Sequence, residues 1–322
     1  MTRALFGLLA GLWIFSWPAA HAFAQGYPRG PVSLVIPLAP GDATDIAGRT
    51  MAEELSRSLK VPVVVVNRPG AGGTVGTDSV VKAAKDGGTL LLANNASLTF
   101  RRVLEPESVA YDPAKDLTPL GLSTRIPSIM AVTEGAPFRN FAEMVEFAKK
   151  NPDKVRMGTV GAGSVGDFAV QLVNSLTGAG IVMVPYKGAS PAIIALRGGH
   201  IEAVAVALGA ISGQLKAGAA RGILLSARFP EFPDIPTLAD LGYKQNLPGV
   251  WFGFFAPAGV PAGVRDVLVP AIEAAVRNPA VGAKLLALGM VQDYASPESL
   301  RAEIAEETRS VQQMARAAGL IK

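Results

Sequence analysis

Short runs of β-branched and apolar residues alternate with alanine-rich stretches of helical length along most of the chain, and this alternation leaves few folds open. Parallel neighbours in a sheet need a crossover of a dozen or more residues, so strand, helix, strand is the grammar of an α/β protein. The opening unit is clear. Residues 32–37 read as a strand, 40–42 as a turn, 44–59 as a helix with Ile46, Met51 and Leu55 on one side, and 62–66 as a second strand. Val63, Val64, Val65 and Val66 are apolar on both faces, as a strand covered on both sides requires. A glycine-rich turn at 67–73, a helix at 75–84 and a strand at 89–93 follow. Residues 94–97 read as a loop, 111–119 as a proline-interrupted polar stretch and 120–132 as extended chain.

The same grammar then restarts. Helices are expected at 141–150, 167–176, 191–197 and 211–217, with strands at 155–159, 181–184, 202–207 and 221–226. Residues 227–249, marked by Pro230, Pro233, Pro236 and Pro248, look like a crossing between lobes. The apolar segment 250–256 and helices at 264–277, 279–288 and from Pro297 onward complete the chain, with Gly319 just past the last helix. The fold class expected is therefore α/β, two-lobed, with a cleft suited to a small molecule. Residues 25–124 and 227–322 would form one lobe, the latter stretch including the crossover, and 125–226 the other.

Residues 1–24 carry an address. Arg3 gives a positive head, 4–17 are almost wholly apolar, and Ala22-Phe23-Ala24 has small residues where a signal peptidase needs them. That run is too short for a ~30 Å hydrocarbon core, so cleavage near Ala24 and release into the periplasm are expected. With no Cys, lipid attachment and disulfides are excluded, and the core alone must hold the protein. A net charge of +4, with basic residues spread along the chain, names no nucleic-acid partner. A monomer is expected. The pair Arg101-Arg102 is the one local basic cluster of interest, and solvated surface is its expected place.

Reactive chemistry is sparse. Beyond the leader, His200 is the one His, in a Gly198-Gly199-His200 turn, where a surface role suits it better than a ligand role. Thiolate chemistry is absent, no metal is expected, and neither a dinucleotide fingerprint nor a phosphate loop occurs, so no cofactor is expected. Asp42 or Asp45 with Asp167 would make a carboxylate pair for acid–base work, but Asp45 also suits the first turn of a helix, where its charge meets unpaired N–H groups. Two helix-entry turns, in different halves, can grip an anion through backbone N–H groups: Pro40-Gly41-Asp42-Ala43-Thr44-Asp45, and the stretch containing Gly161, Ala162, Gly163, Ser164 and Asp167. Each alone is also a common helix entry.

Taken in order, several motifs resemble the Bug-type solute receptors of tripartite tricarboxylate transporters. They include the Pro-Gly-x-x-Thr-Asp turn at 40–45, Asn67-Arg68-Pro69-Gly70-Ala71-Gly72-Gly73, Tyr111-Asp112-Pro113, Pro185-Tyr186-Lys187-Gly188, Phe232-Pro233-Asp234-Ile235-Pro236-Thr237 and Trp251-Phe252-Gly253. The resemblance implies two lobes that close like a flytrap, no enzymatic activity, a carboxylate held by backbone amides at 40–45, and second-lobe contacts from 161–167 and the region after Val184. Contacts from Asn94, Asn95, Ser97 and Tyr186 are added to that set, with Lys187 kept at the rim. It also implies a partner, a membrane permease of one large and one small subunit. A receptor for another transport class or for a signalling protein shares the same shape and stays open. Asp42 stands where the family often has a second glycine, and Asp167 where many members have His. The apolar Val206-Ala207-Leu208-Gly209 favours an aliphatic or aromatic mono- or dicarboxylate over citrate.

Overall fold

The computed structural model describes residues 26–317 and 319–321, so the expected leader and its cleavage site lie outside the described residues. Two sheets form. The first has the order β11-β4-β10-β3-β1-β2, built from β1 (Val32–Ile36), β2 (Val63–Asn67), β3 (Thr89–Asn94), β4 (Leu117–Ile126), β10 (Val250–Pro257) and β11 (Val291–Ala295). The second, β7-β6-β8-β5-β9, comes from β5 (Ser128–Thr133), β6 (Arg156–Thr159), β7 (Val182–Pro185), β8 (Ala203–Ala207) and β9 (Ala220–Leu225).

The repeating helices are α1 (Ala43–Leu59), α2 (Thr74–Val81), α5 (Phe141–Lys150), α6 (Val165–Thr177), α7 (Ala189–Arg197), α8 (Leu208–Lys216), α9 (Ala262–Arg277), α10 (Pro279–Leu286) and α11 (Pro297–Ala317). Two short turns, α3 (Arg101–Leu104) and α4 (Pro113–Asp116), lie between β3 and β4. Strands β1, β2 and β3 are parallel, as are β6, β7 and β8, which is the crossover geometry expected of these runs. Antiparallel β10, β4 and β11 close the first sheet, and antiparallel β5 and β9 close the second.

The first sheet is covered on both faces, and the sequence of β3 shows why. Leu90 and Leu92 join the large core with Met51, Leu55 and Ile272, while Leu91 and Ala93 point to the opposite side with Trp251, Phe255 and Leu300. Period-two alternation thus produces an unbroken apolar run when both sides are buried. All eight residues of β10 are buried for the same reason.

Only Pro127 separates β4 of one sheet from β5 of the other, so the stretch expected as a single extended segment is two strands in two lobes. Proline cannot donate to a ladder, which makes it a natural break. The return crossing runs through residues 226–249. The two passages are tied together: Ser128 N–H donates to Ser226 Oγ at 2.9 Å, Ser226 N–H to Ser128 O at 2.9 Å, and Ser128 Oγ to Pro248 O at 2.7 Å.

One local reading needs correction, and one strand went unread. Residues 94–97 are not a loop: β3 runs to Asn94, and a π-helical turn at Ala96–Phe100 leads straight into α3. Polar composition suggested a loop, yet Thr99 Oγ1 donates to Asn95 O and Tyr111 donates to Ser97 O, which satisfy a buried backbone there. Strand β11 was not legible, because Val-Gln-Asp-Tyr-Ala carries no clean alternation.

At the start of α6, Gly166 lies so close to β8 that an added Cβ would meet Ala205 O at 2.2 Å. Gly166→Ala is expected to destabilise the protein by about 1–3 kcal/mol through overpacking, read as a lower midpoint in chemical denaturation. An unchanged midpoint would show that α6 can shift off the sheet at no cost.

Candidate functional site

The two anion-grip turns share one construction. Gly41 N–H donates to Asp45 Oδ2 at 2.9 Å and Gly163 N–H donates to Asp167 Oδ2 at 2.7 Å, each across four residues. Both glycines sit at positive φ, +82° and +68°, which side-chain-bearing residues rarely adopt. The next residue caps the helix: Asp42 Oδ1 accepts from Thr44 N–H at 2.9 Å, and Ser164 Oγ from Asp167 N–H at 3.1 Å. One turn further along, Arg49 Nε donates to Asp45 and Gln171 Nε2 to Asp167.

The difference between Arg49 and Gln171 separates the two acids. Burial pulls Asp45 up, but Arg49, Gly41 N–H and Asn67 together hold its carboxyl below the ordinary value. Burial also raises Asp167, and with Gln171 and Gly163 as its donors it stays raised. Both acids are buried and tied to their own turn, in the manner of struts that fix where the helix begins.

The helices so fixed point at one narrow cavity between the lobes, of about 40 Å³. Four helix starts reach it: Ala43 and Thr44 of α1, Val165 and Gly166 of α6, Ala189 of α7, and Ala207 with Ala210 at the entry to α8. No side chain caps α7 or α8. Apolar walls come from Leu38, Val160, Val206, Val250 and Phe252. Among the described lining residues the only ionisable side chain is Asp42, and burial, ahead of the pull of Thr44 and the push of Asp45, raises its carboxyl. Two buried polar atoms on this wall, Thr44 Oγ1 and Asn94 Oδ1, have no hydrogen-bond partner.

Of the residues expected at the site, Asp42, Ala43, Thr44 and Asn94 line the cavity. Pro40 and Gly41 are exposed at its edge, Asp45 stands behind as a strut, and Gly161, Ala162, Gly163, Ser164 and Asp167 build the opposing turn without lining it. Asn95 turns away: its Nδ2 donates to Gly249 O at 2.9 Å and to Glu307 at 2.7 Å. Ser97 is buried against Thr77 and Asn94 O, and Tyr186 is half-buried beside Gly158, with Lys187 exposed.

Arg101 corrects the surface assignment. It is buried, and its Nη1 donates across the cleft to Ala162 O at 2.6 Å, while Nη2 pairs with Glu105 and Nε with Ser108 in its own lobe. Phe100 beside it meets Phe168 of α6 edge-on at 5.3 Å. Glu307 on α11 was also missed. It accepts from Asn95, Thr99 and Trp251 behind the cavity, and burial outweighs those donors to push its carboxyl up to about 7.

Residues 47–320 match the model of the tripartite tricarboxylate transporter family receptor. The chain belongs to this family. It is 35% identical over 313 residues to the protein BugT of Bordetella pertussis (strain Tohama I / ATCC BAA-589 / NCTC 13251), covering 95% of this chain and 94% of that one. The structure of the periplasmic binding protein BugD superposes with a TM-score of 0.85 at 30% identity, over 91% of this chain and 99% of that one. MatC from Rhodopseudomonas palustris with bound malate gives a TM-score of 0.85 at 29% identity, over 89% and 99%. The two-lobed binding-protein fold is thereby shown, and the family is one of receptors, not enzymes. Among the described residues, no group of three or more His, Cys, Asp or Glu is placed to hold a metal ion.

Two measurements test this receptor's construction. Removing the Arg101 guanidinium costs the closed state a charged hydrogen bond worth about 1.5–3 kcal/mol, so Arg101→Met is expected to increase the radius of gyration of the protein in small-angle scattering; unchanged scattering would show that the bond does not hold the lobes. For Glu307 the folded state keeps its proton to about pH 7, whereas the unfolded chain releases it near 4.5. This group's contribution to stability therefore falls as pH rises from about 4.5 to 7. Glu307→Gln is expected to remove that part of the slope, and denaturation midpoints across the window that run parallel to the parent's would contradict it.

Proposed function

We propose that this chain is an exported, periplasmic receptor that binds a small organic carboxylate in the interlobe cavity and delivers it to a membrane permease of one large and one small subunit. The observation that carries the reading is the convergence of four helix starts on one cavity whose described lining holds no basic side chain. Helix N-termini present unpaired N–H groups and partial positive charge, so together they favour an anion without Lys or Arg. Family membership supports the transport role, and malate in the similar MatC structure supports an organic acid as cargo. The leader-like residues 1–24, with cleavage near Ala24, and the likeness to periplasmic BugD support the location.

In this reading residues 25–126 and 227–322 form one jaw and 128–226 the other; the boundary expected after residue 124 shifts to Pro127, because Arg125 and Ile126 pair with β10 in the first sheet. Asp42, Ala43, Thr44 and Asn94 touch the cargo, and the Gly161–Ser164 turn with Asp167 places the opposing helix. The protein works as a monomer, without cofactor or nucleic-acid partner.

The test is a thermal-shift screen of the leader-free protein, stripped of retained ligand, against mono-, di- and tricarboxylates, aromatic acids and amino acids. Ligand at a hundredfold excess over its Kd adds about 2.7 kcal/mol, and a melting-temperature rise of about 5 °C or more is expected for one chemical set. Flat melting temperatures across all the acids would sink the reading.

A further inference from the structure

The lining of the cavity is electrically lopsided. In the second lobe α7 and α8 begin at Gly188 and Ala207 with no side-chain cap, and Ala189, Ala207 and Ala210 bring those starts to the cavity wall. In the first lobe the wall carries Asp42 and Asn94. The Asp42 side chain is buried, uses Oδ1 to cap α1, and meets no basic residue among those described around the cavity. Asn94 Oδ1 is buried with no partner at all. A buried acceptor left unpaired is costly, so a cargo that supplies its donor gains in selectivity over one that does not.

Resting on the receptor reading above, the geometry points to a cargo with two unlike ends: a carboxylate facing the uncapped starts of α7 and α8, and a hydrogen-bond donor, best an ammonium, facing Asp42 and Asn94. A symmetric dicarboxylate fits this arrangement poorly, since its second carboxylate would meet the Asp42 carboxylate in a site of low dielectric. The rise that burial imposes on Asp42 is what an acid without a cationic neighbour shows, and an ammonium at Oδ2 would reverse it. Between the two ends the walls are apolar, with Val160, Val206, Val250 and Phe252 suited to a short aliphatic body. Asp42 thus selects the cargo.

The experiment is calorimetric titration of the leader-free protein with pairs of three- to six-carbon monocarboxylates that differ only in having or lacking an amino or a hydroxyl group. The amino member of a pair is expected to bind at least tenfold more tightly than its unsubstituted partner, with the hydroxy member between them. Asp42→Asn keeps an acceptor for Thr44 N–H and so retains the helix cap, which an unchanged melting temperature would verify. In that variant the preference for the amino member over its unsubstituted partner is expected to fall at least tenfold. Equal binding of both members, or an undiminished amino preference in Asp42→Asn, overturns the inference and leaves the receptor reading standing. Preference for the unsubstituted acid that strengthens at low pH, and is lost in Asp42→Asn, would show a protonated Asp42 donating to the cargo, and overturns it too. No binding by either member of any pair overturns the inference, and the receptor reading is then decided by the wider screen of acids.

Discussion

Backbone N–H groups in the first turn of a helix have no partner inside the helix, and here four helices start against the same narrow cavity. Such groups are tolerable when water reaches them and costly when the lobes shut over them unpaired. The rest of the molecule can be understood as the means of placing those starts and covering them. Asp45 and Asp167 each hold the N–H of a glycine four residues earlier, Asp42 and Ser164 cap the helices, and Arg101 spans the mouth to Ala162. An anion held this way needs no basic side chain, so the pocket can remain apolar around the body of the cargo.

The two halves solve the problem with nearly the same turn but different electrostatics. Arg49 keeps Asp45 charged and unavailable to a ligand, while Asp167 is bonded to Gln171 and a backbone N–H, with Glu105 and Arg101 acting on it through space. The asymmetry continues at the caps, where one lobe has a carboxylate and the other a hydroxyl. Since a cap can be made equally by Ser, Asn or Asp, helix stability does not demand the acid at Asp42. Its charge is therefore free to matter for recognition.

Behind the first lobe's wall sits a second polar network. Asn95 lies next to Asn94 but bonds to Gly249 O and Glu307, and Glu307 also gathers Thr99 and Trp251. These contacts tie the end of β3, the crossing before β10 and the last helix together where the chain passes between lobes. The Ser128–Ser226 pair does the same for the two crossing strands themselves. The passage between the lobes is thus a well-bonded strip, with Pro127 as the single residue between β4 and β5.

Much of the fold was legible because period two and period 3.6 are written locally: the valines of β2, the leucines of β3 and the apolar stripe of α1 declare strand and helix without reference to distant residues. The helix-entry turns were legible too, from Gly followed by a capping residue and an acid. What the chain alone could not supply was direction. Asn94 and Asn95 are adjacent and alike, yet one faces the cavity and the other Glu307, 212 positions away. Arg101 reads as a surface base until the second lobe buries it, and β11 exists only because β4 offers it a partner. Sequence by itself thus determined the α/β alternation and the places where helices begin, since those depend on neighbours within a turn or two. Only tertiary structure decided which of those beginnings meet, because that depends on how two separately wound lobes come together around the cavity.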